Sequence, residues 1–350
     1  MLLAICVLSV SAFAADESPA TLITHGHFKQ ARAIVQQQLR ENPRNVTALI
    51  LMARIHLAYD NYEEAGKLLK EAVAIDSGSS DAHVYLAEAY GQKIQKSGVF
   101  DKIGMAKTIR KESERAVAAD PKNIDALESL MEFHAEAPGI VGGNKDTARD
   151  LAEEIAQINP VRGDFARATI AGHDKEFSDQ KKFQLHAVEV DPQSYDALVG
   201  AARLYLSDRW LNYDTAADFA ARAIAVDPTR VRGYSVLAQS YAAQGKLGPL
   251  QQLLGRAEAH VPDDLSPYFY AGQTLVSSGK NWPIAEKYLR KYLSQEAEGE
   301  SPSLGEAHWR LGQALERQGR KDDAIQEMET AVQLKPELKQ AQKDLKRLKS

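Results

Sequence analysis

Apolar residues recur along this chain at helical spacing and in paired stripes, and the pairing is clearest between Val231 and Pro262. Tyr234, Leu237, Ala238 and Tyr241 fall at i, i+3, i+4 and i+7, which places large and small apolar groups on one face of a helix. Gly245 ends that stripe. Leu250, Leu253, Leu254 and Ala257 form a second one, and Pro262 stops it because its ring cannot continue the helical hydrogen-bond ladder. Two helices joined by a glycine turn make a helical hairpin. Pro228 precedes the unit, and 262 − 228 = 34 residues gives the period.

Layouts of the same kind run in both directions from this hairpin. Ser18-Pro19 provides a helix start, and Ala31, Ile34, Val35 and Leu39 form an apolar face closed by Asn42-Pro43, a first unit with a clipped opening helix. Leu49, Ala53, Tyr62, Ala65, Leu69 and Ala72 make the second unit. Ala53 and Ala65 are small where the two helices of a hairpin cross. Leu86, Ala87 and Tyr90 open the third. Its end, Pro121, comes 121 − 77 = 44 residues after Ser77, so the ten extra residues around Gly91 to Met105 lengthen one or both helices or their turn. The fourth unit carries five extra residues in the turn Ala137 to Lys145. The fifth is the most degenerate, with Gln180 at a small-residue position. A polar link, Glu296 to Ser303, separates the eighth unit from the ninth.

The order of aromatic, Leu-small, Tyr, Gly, apolar, small and Pro resembles the tetratricopeptide repeat family, whose period is 34 residues. The resemblance covers residues 18–336 as about nine repeats, ending near residues 43, 77, 121, 160, 192, 228, 262, 300 and 336. It implies an all-α, right-handed solenoid of stacked hairpins, in which the first helix of each hairpin lines a concave groove that receives a protein segment. Beyond Pro336, Leu338, Ala341, Leu345 and Leu348 make one stripe with lysines around it, so residues 337–350 are expected to be a capping helix over the last hairpin's apolar face.

Length alone, 350 residues, would suggest two domains, but an internal repeat makes one array the better reading. A net charge of −5 argues against general nucleic-acid binding, which needs a basic surface to offset phosphate. Residues 2–14 are uncharged and end in Ala12-Phe13-Ala14, the small-x-small form of a signal-peptidase site, although no Lys or Arg precedes them. Residues 1–14 therefore read as a signal peptide cleaved after Ala14, and the protein as periplasmic or secreted, with a cytoplasmic adaptor as the alternative. The run is too short to span a membrane. Cys6, the single cysteine, lies within it, and lipid attachment there is disfavoured because Ile5 before it is not small. The mature chain would carry no thiol.

No motif that carries chemistry survives inspection. Gly139 to Lys145 lacks the Gly before and Ser or Thr after Lys145 that a phosphate loop needs, and reads as a turn ending in an Asn helix cap. Gly233-Tyr234-Ser235 lacks the second glycine of a nucleophile elbow. His25 and His27 have no evident third metal ligand. We therefore expect a non-catalytic protein-binding scaffold without cofactor or metal. The alternative is a structural assembly factor of an envelope secretion or outer-membrane complex, acting through its ends or convex face.

Chaperone-binding members of the family hold a peptide's terminal carboxylate with Lys, Asn and Arg in the groove. Here the corresponding positions are Thr47, Ile50 and Arg54, then Asp81, Val84 and Glu88, so that clamp is missing. The same groove positions in repeats three and four instead gather Asp81, Glu88, Asp125, Glu128, Glu132 and Glu136 without a Lys or Arg. Such a concave set would attract a basic segment of a partner protein. The bland alternative is a solvated face neutralised by Lys93, Lys96 or Lys102 of the insertion. Phe269, Val276 and Trp309 make the expected groove more apolar toward the C-terminus.

Overall fold

In the computed structural model, which describes residues 17–350, the chain forms nineteen α-helices and no strand among the described residues. Nine hairpins follow one another. They are α1 (Pro19–His25) with α2 (Phe28–Glu41), α3 (Val46–Ala58) with α4 (Tyr62–Ile75), α5 (Ser80–Gln95) with α6 (Val99–Ala119), α7 (Ile124–Glu136) with α8 (Lys145–Ile158), and α9 (Pro160–His173) with α10 (Phe177–Val190). Then come α11 (Tyr195–Leu204) with α12 (Tyr213–Val226), α13 (Val231–Gln244) with α14 (Leu247–His260), α15 (Ser266–Ser277) with α16 (Trp282–Tyr292), and α17 (Leu304–Arg317) with α18 (Lys321–Leu334). The last helix is α19 (Lys339–Lys349). Each hairpin packs on the next, so the architecture is an all-α solenoid whose core is a succession of apolar clusters along the array. The expected signal peptide lies outside the described residues.

Local chemistry explains the repetition. At the boundaries after α4, α6, α10 and α12, an Asp side chain accepts the backbone N–H two residues on (Asp76 from Gly78, Asp120 from Lys122, Asp191 from Gln193, Asp227 from Thr229), which turns the chain. An Asn or Ser then caps the next helix in several repeats: Asn45, Ser79, Asn123 and Ser194 each accept a backbone N–H of the first turn. Where the helices of one hairpin cross, the small residues are fully buried, as at Ala53, Ala65, Ala238 and Ala324. Gly272 occupies the equivalent place in α15, where an added Cβ would sit 2.7 Å from Leu289 Cγ.

The insertion in the third repeat lengthens both helices: α5 has 16 residues and α6 has 21, against 13 and 14 in the preceding hairpin. A buried pair, His83 Nδ1 to Glu112 Oε2 at 2.6 Å, fixes α6 against α5. In the fourth repeat the glycine-rich turn forms one short 3-10 turn over Gly139–Val141. It ends on Asn144, whose side chain accepts the N–H groups of Asp146 and Thr147, as an Asn cap requires. At the C-terminus α19 buries Ala341 and Leu348 against the last hairpin.

Candidate functional site

The third repeat's longer helices help shape a cavity of about 830 Å³ between α5, α6 and α7. The extra first turns of α6 contribute Lys102 to its wall, beside Ala106 and Ile109 from the length that a regular second helix also has. Val84, Tyr85, Ile94 and Phe133 give it an apolar floor. Glu88, Asp125, Glu128, Glu132 and Glu136 stand around it. These five were expected to lie together from their common groove positions, and the structure places them on one concavity. Asp81 does not reach it: its carboxylate is exposed and accepts a bond from Asn123 Nδ2 at 2.9 Å.

The carboxylates fall into two groups. Arg162, from the first turn of α9, donates from Nε to Glu128 Oε1 at 2.6 Å and from Nη2 to Asp125 Oδ1 at 2.7 Å. That fork raises the guanidinium above its already high pKa, with the Glu128 bond as the largest cause. By contrast, among the described residues Glu88, Glu132 and Glu136 have no hydrogen-bond or salt-bridge partner. Water reaches Glu88 and Glu132, but protein surrounds them on the concave side. This loss of hydration raises both carboxyls, reinforced at Glu88 by Glu132 and Asp125 and at Glu132 by Glu128 and Glu136. Arg54, stacked 4.8 Å over the Tyr85 ring, opposes the rise at Glu88 without bonding to it.

The insertion lysines play a smaller part than their sequence positions suggested. Lys93 pairs with Glu63 at 2.8 Å and Lys96 with Asp60, both away from the cavity, so Lys102 alone of the three stands on its rim. Sequence reasoning missed Arg162, the cation that matters most. It occupies in the fifth repeat the groove position that Asp125 holds in the fourth, and extending the inspection by one repeat would have found it.

The aromatic end of the expected groove is corrected by the structure. Phe269 is 2% exposed and packs edge-on against Tyr270 and against Tyr292, and Trp309 is 9% exposed. The indole N–H of Trp309 donates to Asp344 Oδ2 of the capping helix at 2.8 Å, and the Arg310 guanidinium covers the ring at 4.0 Å. These groove positions are not a binding surface, because Phe269 is buried against Tyr292 of α16 and Trp309 is covered by Arg310 and held to α19. His27, considered for a metal, is engaged by Asp263 and the Thr229 carbonyl. Among the described residues no helix is long and apolar enough to cross a membrane, and no cluster of three metal-ligating side chains occurs.

Family models of the tetratricopeptide repeat match residues 22–89 and residues 271–338, so the chain carries tetratricopeptide repeats in both of these segments. No curated protein matches its sequence. Among solved structures it is similar to yeast Tom70, with 14% identity over 95% of this chain and 80% of that one and a TM-score of 0.49. It is also similar to MamA, with 20% identity over 50% of this chain and 95% of that one and a TM-score of 0.34. A third is YrrB, described as a tetratricopeptide repeat protein with an unusual peptide-binding site, with 17% identity over 57% of this chain and 95% of that one and a TM-score of 0.33.

Proposed function

We propose that this protein is a non-catalytic interaction scaffold that holds a basic segment of a partner protein in the cavity between α5, α6 and α7. The observation that carries the reading is the unpartnered trio Glu88, Glu132 and Glu136 around an apolar floor. Carboxylates already crowded by protein gain more from an incoming cation than fully hydrated ones do, because the cation relieves both their mutual repulsion and their poor hydration. Tyr85, Ile94 and Phe133 would cover the aliphatic stem of a lysine or arginine, or an apolar neighbour in the same segment. Arg162 limits the site on one side, since it already satisfies Asp125 and Glu128.

The test is titration with peptides that alternate Lys or Arg with aliphatic residues, at low and high salt, followed calorimetrically. Binding that weakens with salt and is lost in a Glu88→Gln, Glu132→Gln, Glu136→Gln variant of unchanged stability supports the reading. Equal binding by wild type and triple variant moves the convex face and the ends ahead, as in an assembly factor.

We place the protein in the envelope of a bacterium, on the uncharged run ending in Ala12-Phe13-Ala14. Intact mass of protein purified from the envelope is expected to begin at Ala15. A mass that includes Met1 returns it to the cytoplasm.

A further inference from the structure

The solenoid coils far enough for its beginning to rest on its later repeats. The turn at the start of α2 and the end of α3 meet the loops that precede α13, α15 and α17. Glu300 N–H donates to Ala58 O at 2.9 Å, and Tyr59 Oη donates to Ala297 O at 3.1 Å. Lys29 Nζ donates to the carbonyls of Asp263 and Glu296, each at 2.7 Å. Gly299 holds a left-handed φ of +92°, and a Cβ there would stand 2.9 Å from Ala58 O, so glycine is needed for both conformation and approach. The polar link after α16, which looked like a spacer in the sequence, is the element that makes this seam.

Titratable groups lie at its centre. His27 Nδ1 is 2.8 Å from Asp263 Oδ2, and His27 Nε2 is 3.0 Å from Thr229 O. A carboxylate and a carbonyl both accept, and a neutral imidazole has only one N–H, so the pair of bonds requires the imidazolium. Beside it the Glu298 side chain is 1% exposed. One of its oxygens accepts the Lys29 backbone N–H at 3.0 Å, and the other has no hydrogen-bond partner and lies 3.8 Å from Lys29 Nζ.

We propose that this seam is a latch set by pH, closed in mildly acidic medium and released as the medium turns alkaline, so that the solenoid changes from a self-contacting coil to an open one. The proposal is independent of what the cavity binds.

The signs agree. Burial alone would lower His27, but its bond to Asp263, the charge of Asp263 and the bond to the Thr229 carbonyl outweigh that and raise it. The stability His27 lends is therefore complete below 6.5 and lost as pH climbs through the raised value. Burial pushes Glu298 from 4.5 up to about 8, with Asp263 and Asp264 adding and Lys29 opposing. In the closed seam that carboxyl keeps its proton and in the open one it loses it, so opening is favoured as pH rises between those values. Asp264, almost fully buried in the same loop, is also raised by burial, but it is bonded to Ser266 of its own loop and not across the seam. Asp263 acts oppositely. Although burial works to raise it, its bonds with His27 and Gln30 hold it below 3.8, so the seam also fails in strong acid. The remaining charges facing the seam are paired with each other: Arg32 with Glu296 at 2.8 Å, Lys335 with Glu300 at 3.3 Å and Arg230 with Asp196 at 2.6 Å.

The experiment uses the full chain with Cys6→Ser and spin labels at Gln36→Cys and Gln251→Cys, both exposed sites on α2 and α14. Distances are read at pH 6 and pH 8.5, and amide exchange at Glu300, corrected for its intrinsic rate, is read in the unlabelled protein. A single short distance at pH 6 is expected to give way to a longer population at pH 8.5. Protection of the Glu300 amide should fall by about tenfold or more, since each proton released on opening changes the equilibrium by up to about tenfold per pH unit. Gly299→Val should open the seam at both pH values, and the double variant His27→Gln, Glu298→Gln should lose most of the pH dependence. Identical wild-type distances and protection at both pH values overturn the latch, as does a double variant with the wild-type slope. A Gly299→Val protein as closed as wild type by both measures also overturns it, because the seam then does not open where its backbone contact is removed.

Discussion

Equivalent groove positions face different surroundings in the third and fourth repeats and in the eighth and ninth. In the earlier pair, α5 and α7 carry carboxylates at these positions, and the lengthened α6 leaves a hollow in front of them. In the later pair, Phe269 and Trp309 occupy the same places but are packed between neighbouring helices and under α19. The residue types match the surroundings in both cases. Carboxylates persist where water still reaches them, and aromatic rings sit where a neighbour covers them. In a solenoid, then, the repeat position fixes the direction in which a side chain points, and the adjoining repeats decide whether that direction is a site or a core.

That contrast can be broken most severely at its buried end. Trp309→Ala is expected to cost about 3 to 5 kcal/mol, since a large ring is removed from a filled space. The capping helix should detach with it, visible in denaturant unfolding as a lower midpoint and in amide exchange as loss of protection over Lys339–Lys349. An unchanged midpoint would mean that the aromatic end is surface after all. Next in size is Ala324→Leu, with Ala238→Leu as its counterpart in the seventh repeat. Each should cost on the order of 1 to 3 kcal/mol by overpacking a crossing where the alanine is fully buried. Midpoints equal to wild type would show that these positions are not crossings.

At the acidic end the expected effects are smaller and partly of opposite sign. Arg162→Gln should lower stability by about 1 kcal/mol or less, because its ion pairs are partly exposed. The same change frees Asp125 and Glu128, so affinity for the basic peptides should rise. A fall in affinity would show that Arg162 itself contacts the partner. Smallest is the paired change Glu88→Gln, Glu132→Gln. Both carboxyls are raised, so in the native protein they cost stability as pH rises from 4.5 through their folded values. The variant should match wild type near pH 4 and be slightly more stable at pH 7, by under about 0.5 kcal/mol for such surface changes. A wild type and variant with parallel melting temperature profiles across that range would show that the crowding of these carboxylates has no energetic consequence.

Much of this was legible in the chain itself. The helices, their pairing, the small residues at the crossings, the Asn cap of the fourth turn and the capping helix all follow from interactions within a few residues or between adjacent hairpins, and periodicity records those directly. The five carboxylates of the cavity were legible for the same reason, as equal positions in successive repeats. What the period could not report was anything arising between non-adjacent parts or from departures in helix length. The ten extra residues of the third repeat were countable, but that they would lengthen both helices and hollow out a cavity depended on how α6 extends past α5. The burial of Phe269 and Trp309 depended on what lies in front of them. The seam of His27, Lys29, Asp263 and Glu298 joins residues more than two hundred positions apart. Local sequence sets the conformation of each hairpin, because backbone hydrogen bonds and side-chain periodicity act at short range. Only the summed curvature of the whole array brings its first turn against its later loops, and that sum is a property of the tertiary structure.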